Sequence, residues 1–327
     1  MKKTLHGACA LVIGIVGASL SSSSEAQTYP AKPVKIIVNY TPGGPTDLTA
    51  RTVGAKMQEY TGQAFVIDNM PSASGVIGTV AMLRAAPDGY TFMMTTAGHT
   101  SIAKALYEDK LQFDPMRDLA PISNLVNSHQ ALVTHPSLGV KTVAEFVNLA
   151  KAKPGQLNYG SPGIGSPNHL GLELFKSMAG LDMVHIPYKG TATLVPDQLA
   201  GRVSLGLSSS TSAVPLIRSG KLIALATGFS KRLPILPDVP TMEELGYKDY
   251  LVYTWYAFFA PAKAPPSVIG RLNAHSKQAL SDPQVIATLE KNGADTAWST
   301  PEFLGKQMRD EYERWKKVIA ESKIVAE

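Results

Sequence analysis

The stretch Val34-Lys-Ile-Ile-Val-Asn-Tyr-Thr-Pro-Gly-Gly-Pro-Thr-Asp-Leu48 decides the fold of this chain. Its short apolar run predicts a buried strand that stops at Thr41-Pro42-Gly43-Gly44. A helical pattern begins directly afterwards, at Thr46-Asp47. Short β-rich runs alternate with helical patterns in this way almost throughout the chain, which predicts an α/β fold with largely parallel sheets.

The loop between this strand and this helix has the features of an anion site. Its two adjacent glycines allow a positive φ and leave room for a ligand beside the main chain. The following helix adds unpaired N–H groups and the positive end of its dipole. Such a site suits a small carboxylate or phosphate without any charged side chain. The same residues also fit a simple tight turn, so the loop alone leaves both interpretations open.

The N-terminus predicts export. A basic start at Met1-Lys2-Lys3 precedes an apolar stretch from Ala8 to Leu20, and Ser24-Glu25-Ala26 fits a cleavage site. Residues 1–26 are therefore interpreted as a secretory signal peptide. A membrane anchor is the weaker alternative, because the apolar stretch is shorter than the roughly 20 residues that a spanning helix needs. The only cysteine, Cys9, lies in this segment, so the mature chain has no disulfide, as fits a bacterial periplasm.

Length and charge narrow the class of protein further. Removing the first 26 of the 327 residues leaves a chain that is too long for one compact core and predicts two lobes. We expect residues 27–127 and 253–327 to form the first lobe and residues 128–252 the second. The formal charge of +5 is mild and shows no long basic run, so nucleic acid is not an expected partner.

Local patterns place the elements between the loops. The predicted strands are 34–39, 64–68, 91–95, 131–135, 156–161, 203–208, 222–227 and 257–260. Capping boxes at Thr142-Val-Ala-Glu145 and Thr241-Met-Glu-Glu244 each predict the start of a helix. Thr300-Pro301-Glu302 predicts the start of the last helix.

Two more loops resemble the first in composition. Gly160-Ser-Pro-Gly163-Ile-Gly165-Ser-Pro-Asn-His169 follows a predicted strand and precedes a helix from Leu170 to Ala179. We expect its hydroxyl and N–H groups to face the first loop across a cleft. The third loop is Asn69-Met-Pro-Ser-Ala-Ser-Gly75. None of them matches a dinucleotide fingerprint, a phosphate loop or a nucleophile elbow.

The titratable residues point to no metal or cofactor. The histidines are scattered and form no helical pair, so we expect neither a metal site nor a cofactor. His169 begins a helix beside a glycine-rich loop, where a ligand contact and a neutral structural hydrogen bond are both compatible with the pattern. Asp47 has the position of a carboxylate that orients the first loop from the first turn of a helix.

Taken in order, the motifs of the mature chain resemble those of a known family. They are Tyr29-Pro-Ala-Lys-Pro33, Pro42-Gly-Gly-Pro-Thr-Asp47, Pro87-Asp-Gly-Tyr-Thr91, Lys153-Pro-Gly-Gln-Leu-Asn-Tyr159, His185-Ile-Pro-Tyr-Lys-Gly190, Ala200-Gly201, Pro237-Asp-Val-Pro-Thr241 and Ser299-Thr-Pro-Glu302. The set resembles the periplasmic substrate-binding receptors of tripartite tricarboxylate transporters, the Bug receptors.

This resemblance implies a two-lobed Venus-flytrap fold of the type 2 periplasmic binding class, with a small carboxylate held between the lobes. The ligand-binding residues that we expect on this basis are Tyr40, Gly44, Thr46, Asp47, Ala73, Ser74, Thr96, Ser161, Gly163, Gly165, Ser166, His169, Ser208 and Ser209. One departure concerns the third loop, which commonly reads Arg-Pro-Gly-Ala-Gly-Gly in the family. Here Ser72 and Ser74 replace two glycines and add hydroxyls where the edge of the ligand is expected.

The primary hypothesis is a monomeric periplasmic receptor, without catalytic residues, that delivers a small organic carboxylate to the permease subunits of a tripartite tricarboxylate transporter. A receptor that serves a sensor protein alone is the second hypothesis. A periplasmic enzyme that uses His169 with Asp47 or a serine is the third. The sequence does not identify the carboxylate, since dicarboxylates, tricarboxylates, amino acids and aromatic acids all fit the family.

Overall fold

The computed structural model describes residues 29–188 and 190–324. The predicted signal peptide, residues 1–26, lies outside the described residues.

A ten-stranded sheet runs through the described part of the chain. Its strands are β1 (Val34–Val38), β2 (Phe65–Asn69), β3 (Thr91–Thr96), β4 (Leu119–Thr134), β5 (Asn158–Ser161), β6 (Val184–Pro187), β7 (Leu205–Ser209), β8 (Ile223–Thr227), β9 (Tyr253–Pro261) and β10 (Ala294–Thr296).

Helices cover the sheet on its faces. They are α1 (Pro45–Thr61), α2 (Val76–Leu83), α3 (Ser101–Tyr107), α4 (Pro115–Asp118), α5 (Val143–Ala152), α6 (Pro167–Ala179), α7 (Thr191–Leu199), α8 (Ser210–Arg218), α9 (Pro266–Leu280), α10 (Pro283–Lys291) and α11 (Pro301–Glu321). In this part of the chain, no helix combines the length and the apolar character that a membrane span requires.

The strand order is β2-β1-β3-β9-β4-β7-β5-β6, with β8 and β10 also paired to β4. The α/β class is confirmed, but the expectation of largely parallel sheets is wrong at the centre. β1 is parallel to β2 and β3, and β5 is parallel to β6 and β7. β4 and β9 are antiparallel to all their partners. An apolar run shows that a strand is buried but carries no information about its direction.

The 16-residue strand β4 joins the two halves of the sheet. Its first part, from Leu119 to His129, pairs with β9, and its last part, from Gln130 to Thr134, pairs with β7 and β8. We call β1, β2, β3, β9, β10 and the first part of β4 the first half, and β5 to β8 with the last part of β4 the second half. Each half includes the loops and helices that follow its strands. The predicted lobe boundaries at 127/128 and 252/253 remain a prediction.

The helix predicted to begin at Thr46-Asp47 is present as α1. Its apolar face places Ala50, Val53 and Met57 fully out of solvent against the buried β1 residues Ile36 and Val38. The helix ends at Gly62, which takes the left-handed conformation with φ 70°, as a helix C-terminus favours. Strand and helix thus bracket the first loop from both sides.

The two capping boxes have different outcomes. Thr142 and Glu145 exchange both bonds of a capping box at the start of α5, as predicted. Thr241 and Glu244 also exchange their two bonds, but the helix predicted there is wrong, because residues 242–246 form only turns. Thr241 is tied to Thr227 by a β-bridge, and the chain turns at Gly246 with φ 91° before a helix develops.

Candidate functional site

A cavity of about 840 Å³ lies between the two halves. It is bounded by the loops that follow β1, β2, β3, β5 and β7 and by α3, α7 and the crossing strands. The residues that line it are Tyr40, Thr41, Gly44, Pro45, Thr46, Ser72, Ser74, Thr96, Gly98, His99, Ala103, Leu106, Tyr107, Gln130, Pro162, Gly163, Ile164, Gly165, Ser166, Pro167, Asn168, Gly190, Thr191, Leu194, Leu207, Ser208, Ser209, Thr254 and Tyr256.

Most of the residues expected from the sequence come together on this wall. They are Tyr40, Gly44, Thr46, Ser74, Thr96, Gly163, Gly165, Ser166, Ser208 and Ser209. Asp47, Ser161 and His169 lie behind the loops instead, with exposed fractions of 3%, 0% and 4%. Ala73 belongs to the short turn 73–75.

The first loop is held in shape by Asp47. Its carboxylate accepts hydrogen bonds from the Gly43 N–H (2.9 Å), from Asn69 Nδ2 (2.9 Å) and from Arg51 Nε (2.9 Å). Burial alone would raise the pKa of Asp47, but the bonds from Arg51, Gly43 and Asn69 together hold it below its ordinary value. Asp47 therefore supports the loop from beneath and does not face the cavity.

The positive φ in this loop lies at Gly43, with φ 81°, whereas Gly44 has an ordinary φ of −79°. The sequence did not distinguish the two. A Cβ at Gly44 would meet only the Thr41 carbonyl, at 3.6 Å. A side chain at Gly44 would therefore act on a ligand through its bulk, without straining the backbone.

Tyr40, Thr96 and His99 form a wall of the cavity in the first half. The Tyr40 hydroxyl lies 2.6 Å from Thr96 Oγ1, which also accepts from the Gly98 N–H at 3.1 Å. The rings of Tyr40 and His99 stack with their centres 4.4 Å apart. Burial lowers the pKa of His99 to about 4, so its imidazole is neutral at pH 7.

The second glycine-rich loop is closed by internal hydrogen bonds. The N–H groups of Gly163, Gly165 and Ser166 donate to Ser161 Oγ, His169 Nδ1 and the Gly163 carbonyl, respectively. Contrary to expectation, these three N–H groups shape the loop and are not offered across the cleft. His169 is thus a neutral acceptor, which was one of its two predicted roles.

A stack of rings supports this loop from behind. The rings of His169 and His185 lie 4.0 Å apart, and Tyr159 stacks on His185 at 4.8 Å. His185 Nε2 lies 2.7 Å from Ser161 Oγ, which donates to the Gly163 carbonyl. Because the serine hydroxyl has one proton, the histidine must be the donor in that contact.

The stack predicts a pH dependence of stability. Burial lowers the pKa of His169 to about 3 and of His185 to about 4, as it does for His99. Below about pH 6.5 the unfolded chain binds protons that the native chain does not. The free energy of unfolding therefore decreases as the pH is lowered from about 6.5 to about 4. Each histidine contributes up to about 1.4 kcal/mol per pH unit in that window.

The variant His169→Gln isolates one of these contributions. Denaturant unfolding between pH 4.5 and 6.5 is expected to give a slope against pH that is smaller than that of the wild type by about one proton. Groups that titrate in both proteins cancel in this difference. An unchanged slope would mean that His169 is not held neutral in the native state.

Four helices, α1, α6, α7 and α8, begin at the cavity. Their N-caps Gly44, Ser166, Gly190 and Ser209 all line it. At Gly44, Gly190 and Ser209 no side chain caps the helix. The positive ends of these helix dipoles therefore converge on one space. Among the described residues, no Lys, Arg, Asp or Glu lines that space.

The two serines of the third loop differ in their effect on stability. Ser74 adopts φ 53° and ψ 15°, the left-handed conformation that glycine tolerates without strain. Ser72 also contributes structurally, because its Oγ accepts the Ile77 N–H at 3.0 Å near the start of α2. Both serines line the cavity, but the hydroxyl of Ser72 is already engaged with the helix.

Replacing Ser74 by glycine is expected to stabilise the protein by about 1 kcal/mol, because it relieves the left-handed strain. Ser72→Gly is the matched variant in the same loop, and it should destabilise by about 1 kcal/mol through the loss of the Ile77 contact. Chemical denaturation of the two variants measures both effects. Equal shifts in the same direction would contradict this assignment of roles.

Several lining residues were not predicted. His99, Gln130, Thr254 and Tyr256 belong to a short turn or to strand interiors, where no local motif marks a binding residue. Asn168 was closer to prediction, because it follows Ser166-Pro167 in the second loop. In the described part of the chain, no cluster of His, Cys, Asp and Glu is placed to hold a metal.

The fold and the cavity define a substrate-binding protein of the periplasmic binding class: two α/β halves joined by crossing strands, with a ligand-sized space between them. The family model for the tripartite tricarboxylate transporter family receptor matches residues 49–324. The chain belongs to this family, as its motifs predicted.

A relative and two solved structures support this assignment to the family. Protein BugT of Bordetella pertussis is 35% identical over 313 residues, which covers 95% of this chain and 96% of the relative. The structure of the periplasmic binding protein BugD has a TM-score of 0.79 at 30% identity and covers 91% of this chain and 100% of its own. The structure of R. palustris Rpa4515 with adipate has a TM-score of 0.81 at 32% identity, with coverages of 91% and 99%.

Proposed function

We propose that this protein is a periplasmic receptor that captures a small organic carboxylate in the cavity and passes it on without chemical change. The observation that carries the proposal is the convergence of α1, α6, α7 and α8 on a cavity lined by hydroxyl, amide and backbone groups. An anion in this space interacts with the positive ends of four helices. Hydrogen bonds to a carboxylate are worth roughly 1.5–3 kcal/mol each.

The similar proteins support the ligand class. Rpa4515 was solved with adipate, which is a small organic carboxylate. The motif at Tyr40 to Asp47 and the helix start that follows it suit the same chemistry in this chain. Tyr40, Gly44, Thr46, Ser74, Thr96, Gly163, Gly165, Ser166, Ser208 and Ser209 are proposed to surround the ligand, with Asp47, Ser161 and His169 holding their loops.

The partner follows from the family. A receptor of a tripartite tricarboxylate transporter delivers its ligand to membrane permease subunits, and we propose the same role here. A sensor protein as the recipient is the second candidate. The basic and apolar start of the chain supports a periplasmic location. The monomeric state remains a prediction.

An enzymatic role finds no support in the residues that would have served it. Asp47 is bonded to Gly43, Asn69 and Arg51, and His169 is bonded to Gly165 in the other half. The two side chains therefore belong to separate networks, and neither lines the cavity. Ser161 is within hydrogen-bond distance of His185, but it is fully buried.

The test is a thermal-shift screen of small mono-, di- and hydroxycarboxylates, amino acids and aromatic acids, followed by calorimetry of the best acid and its methyl ester. An acid at about 100 times its dissociation constant should stabilise the protein by about 2.7 kcal/mol. The ester is expected to bind at least about tenfold more weakly, because it lacks the anion. Equal affinities of acid and ester, or turnover of the acid during hours of incubation, would overturn the proposal.

A further inference from the structure

We propose that Gln130 and Asn168 select a ligand that carries a terminal carboxamide opposite its carboxylate. Both residues line the cavity, one from the crossing strand β4 and the other from the first turn of α6. The inference rests on the proposed function, because it concerns the far end of the same ligand.

The orientation of both side-chain amides follows from one fixed acceptor. Asn168 contacts the Leu207 backbone carbonyl, which can only accept, so the atom that faces it must be Nδ2. The same Nδ2 lies 3.1 Å from the Gln130 amide. The atom of Gln130 that faces a donor must be the oxygen Oε1. Neither amide can be flipped without setting two donors or two acceptors against each other.

This arrangement engages one polar atom of each side-chain amide and leaves the other polar atom for a further partner. Asn168 has committed its donor nitrogen, which leaves the acceptor Oδ1. Gln130 has committed its acceptor oxygen to Asn168, which leaves the donor Nε2. The facing atoms are 3.1 Å apart, and the remaining donor and acceptor belong to the two side-chain amides that make this contact. Together they present one donor group and one acceptor group.

The position of Gln130 holds this pair in place. The residue is only 4% exposed. Its backbone carbonyl accepts the Gly228 N–H at 3.0 Å, and the residue pairs with Ser209 in β7. Ser208, Ser209 and Thr254, which also line the cavity, add neutral hydroxyls. Among the described lining residues, no Lys or Arg side chain is available to pair with a second carboxylate.

A primary carboxamide complements this edge. Its carbonyl oxygen accepts from Gln130 Nε2, and its NH2 group donates to Asn168 Oδ1. A second carboxylate has only acceptors, so one of its oxygens would oppose the lone pairs of Asn168 Oδ1. Sites that are built to satisfy a donor and an acceptor discriminate strongly against analogues that leave one unpaired. The ligand class is therefore an ω-carbamoyl monocarboxylate.

The test compares matched pairs by calorimetry: succinamate with succinate, glutaramate with glutarate and adipamate with adipate. In the wild type, at least one monoamide is expected to bind at least about tenfold more tightly than the dicarboxylate of the same length. In Gln130→Glu, the oxygen that accepts from Asn168 is retained and the donor is lost, so this preference should disappear. Gln284→Glu, the same change at an exposed site on α10, should keep it.

Gln130→Met provides a second variant without a buried charge, and melting temperatures verify that each variant is folded. A preference for the monoamide that persists in both Gln130 variants would overturn the assignment to this residue. Dicarboxylates that bind as tightly as the monoamides in the wild type would overturn the inference and leave the receptor function standing. If no carboxylate of this set or of the wider screen binds, the proposed function fails as well.

Discussion

Replacing Gly165 by valine is expected to weaken carboxylate binding at least about 100-fold, or about 2.7 kcal/mol. Gly165 lies in the second half with φ 74°, and a Cβ at this position would approach Leu106 Cδ2 of α3, in the first half, to within 2.1 Å. Leu106, which lines the cavity, would have to shift its side chain, or the two halves would have to separate. Either response alters the space in which the ligand is held.

Two controls separate this contact from backbone strain. Gly180→Val imposes a similar strain at φ 63° on the C-terminal cap of α6, where an added Cβ meets nothing within 4 Å. It should destabilise the protein by about 1–2 kcal/mol and leave the affinity unchanged. Adding Leu106→Ala to Gly165→Val should recover part of the binding. Calorimetric affinities that are equal for the two valine variants would show that the Leu106 contact has no bearing on ligand binding.

Replacing Asp47 by alanine is expected to lower the free energy of unfolding by about 2–4 kcal/mol and to weaken ligand binding. The change removes an acceptor from the Gly43 N–H, from Asn69 Nδ2 and from Arg51 Nε. The Gly43 N–H would then lack its acceptor beneath the first loop, and Asn69 would keep only its bonds to the Tyr40 carbonyl and to Arg51. The loop would lose the conformation that brings Gly44 and Thr46 to the cavity wall.

Asp282→Ala is the matched control for Asp47→Ala. Asp282 also accepts from two backbone N–H groups, at Gln284 and Val285, and pairs with Lys56, but it caps α10 away from the cavity. Both variants should unfold at lower denaturant concentration, and only Asp47→Ala should lose affinity. If both variants kept the wild-type dissociation constant, the first loop would be only a turn between strand and helix, the alternative that its sequence left open.

The sequence by itself determined the class of protein and pointed to ten of the residues that line the cavity. Residues 34–48 predicted a strand, a loop and a helix correctly, because apolar periodicity and the placement of proline and glycine act within a few residues. The ordered motifs then identified the family over nearly the whole mature chain. Gly44, Gly163 and Ser166 were predicted as binding residues for the same local reason: each lies between a strand and a helix.

Only the tertiary structure decided how these residues work together. The stacking of Tyr40 on His99, the approach of Leu106 to Gly165 and the pairing of Gln130 with Asn168 all join residues that are far apart in the chain. Such contacts depend on strand order and on how the two halves meet, and β4 and β9 run antiparallel to their neighbours against expectation. The burial of Asp47 and His169 behind their loops has the same origin, because burial and the direction of a hydrogen bond are set by packing and not by spacing.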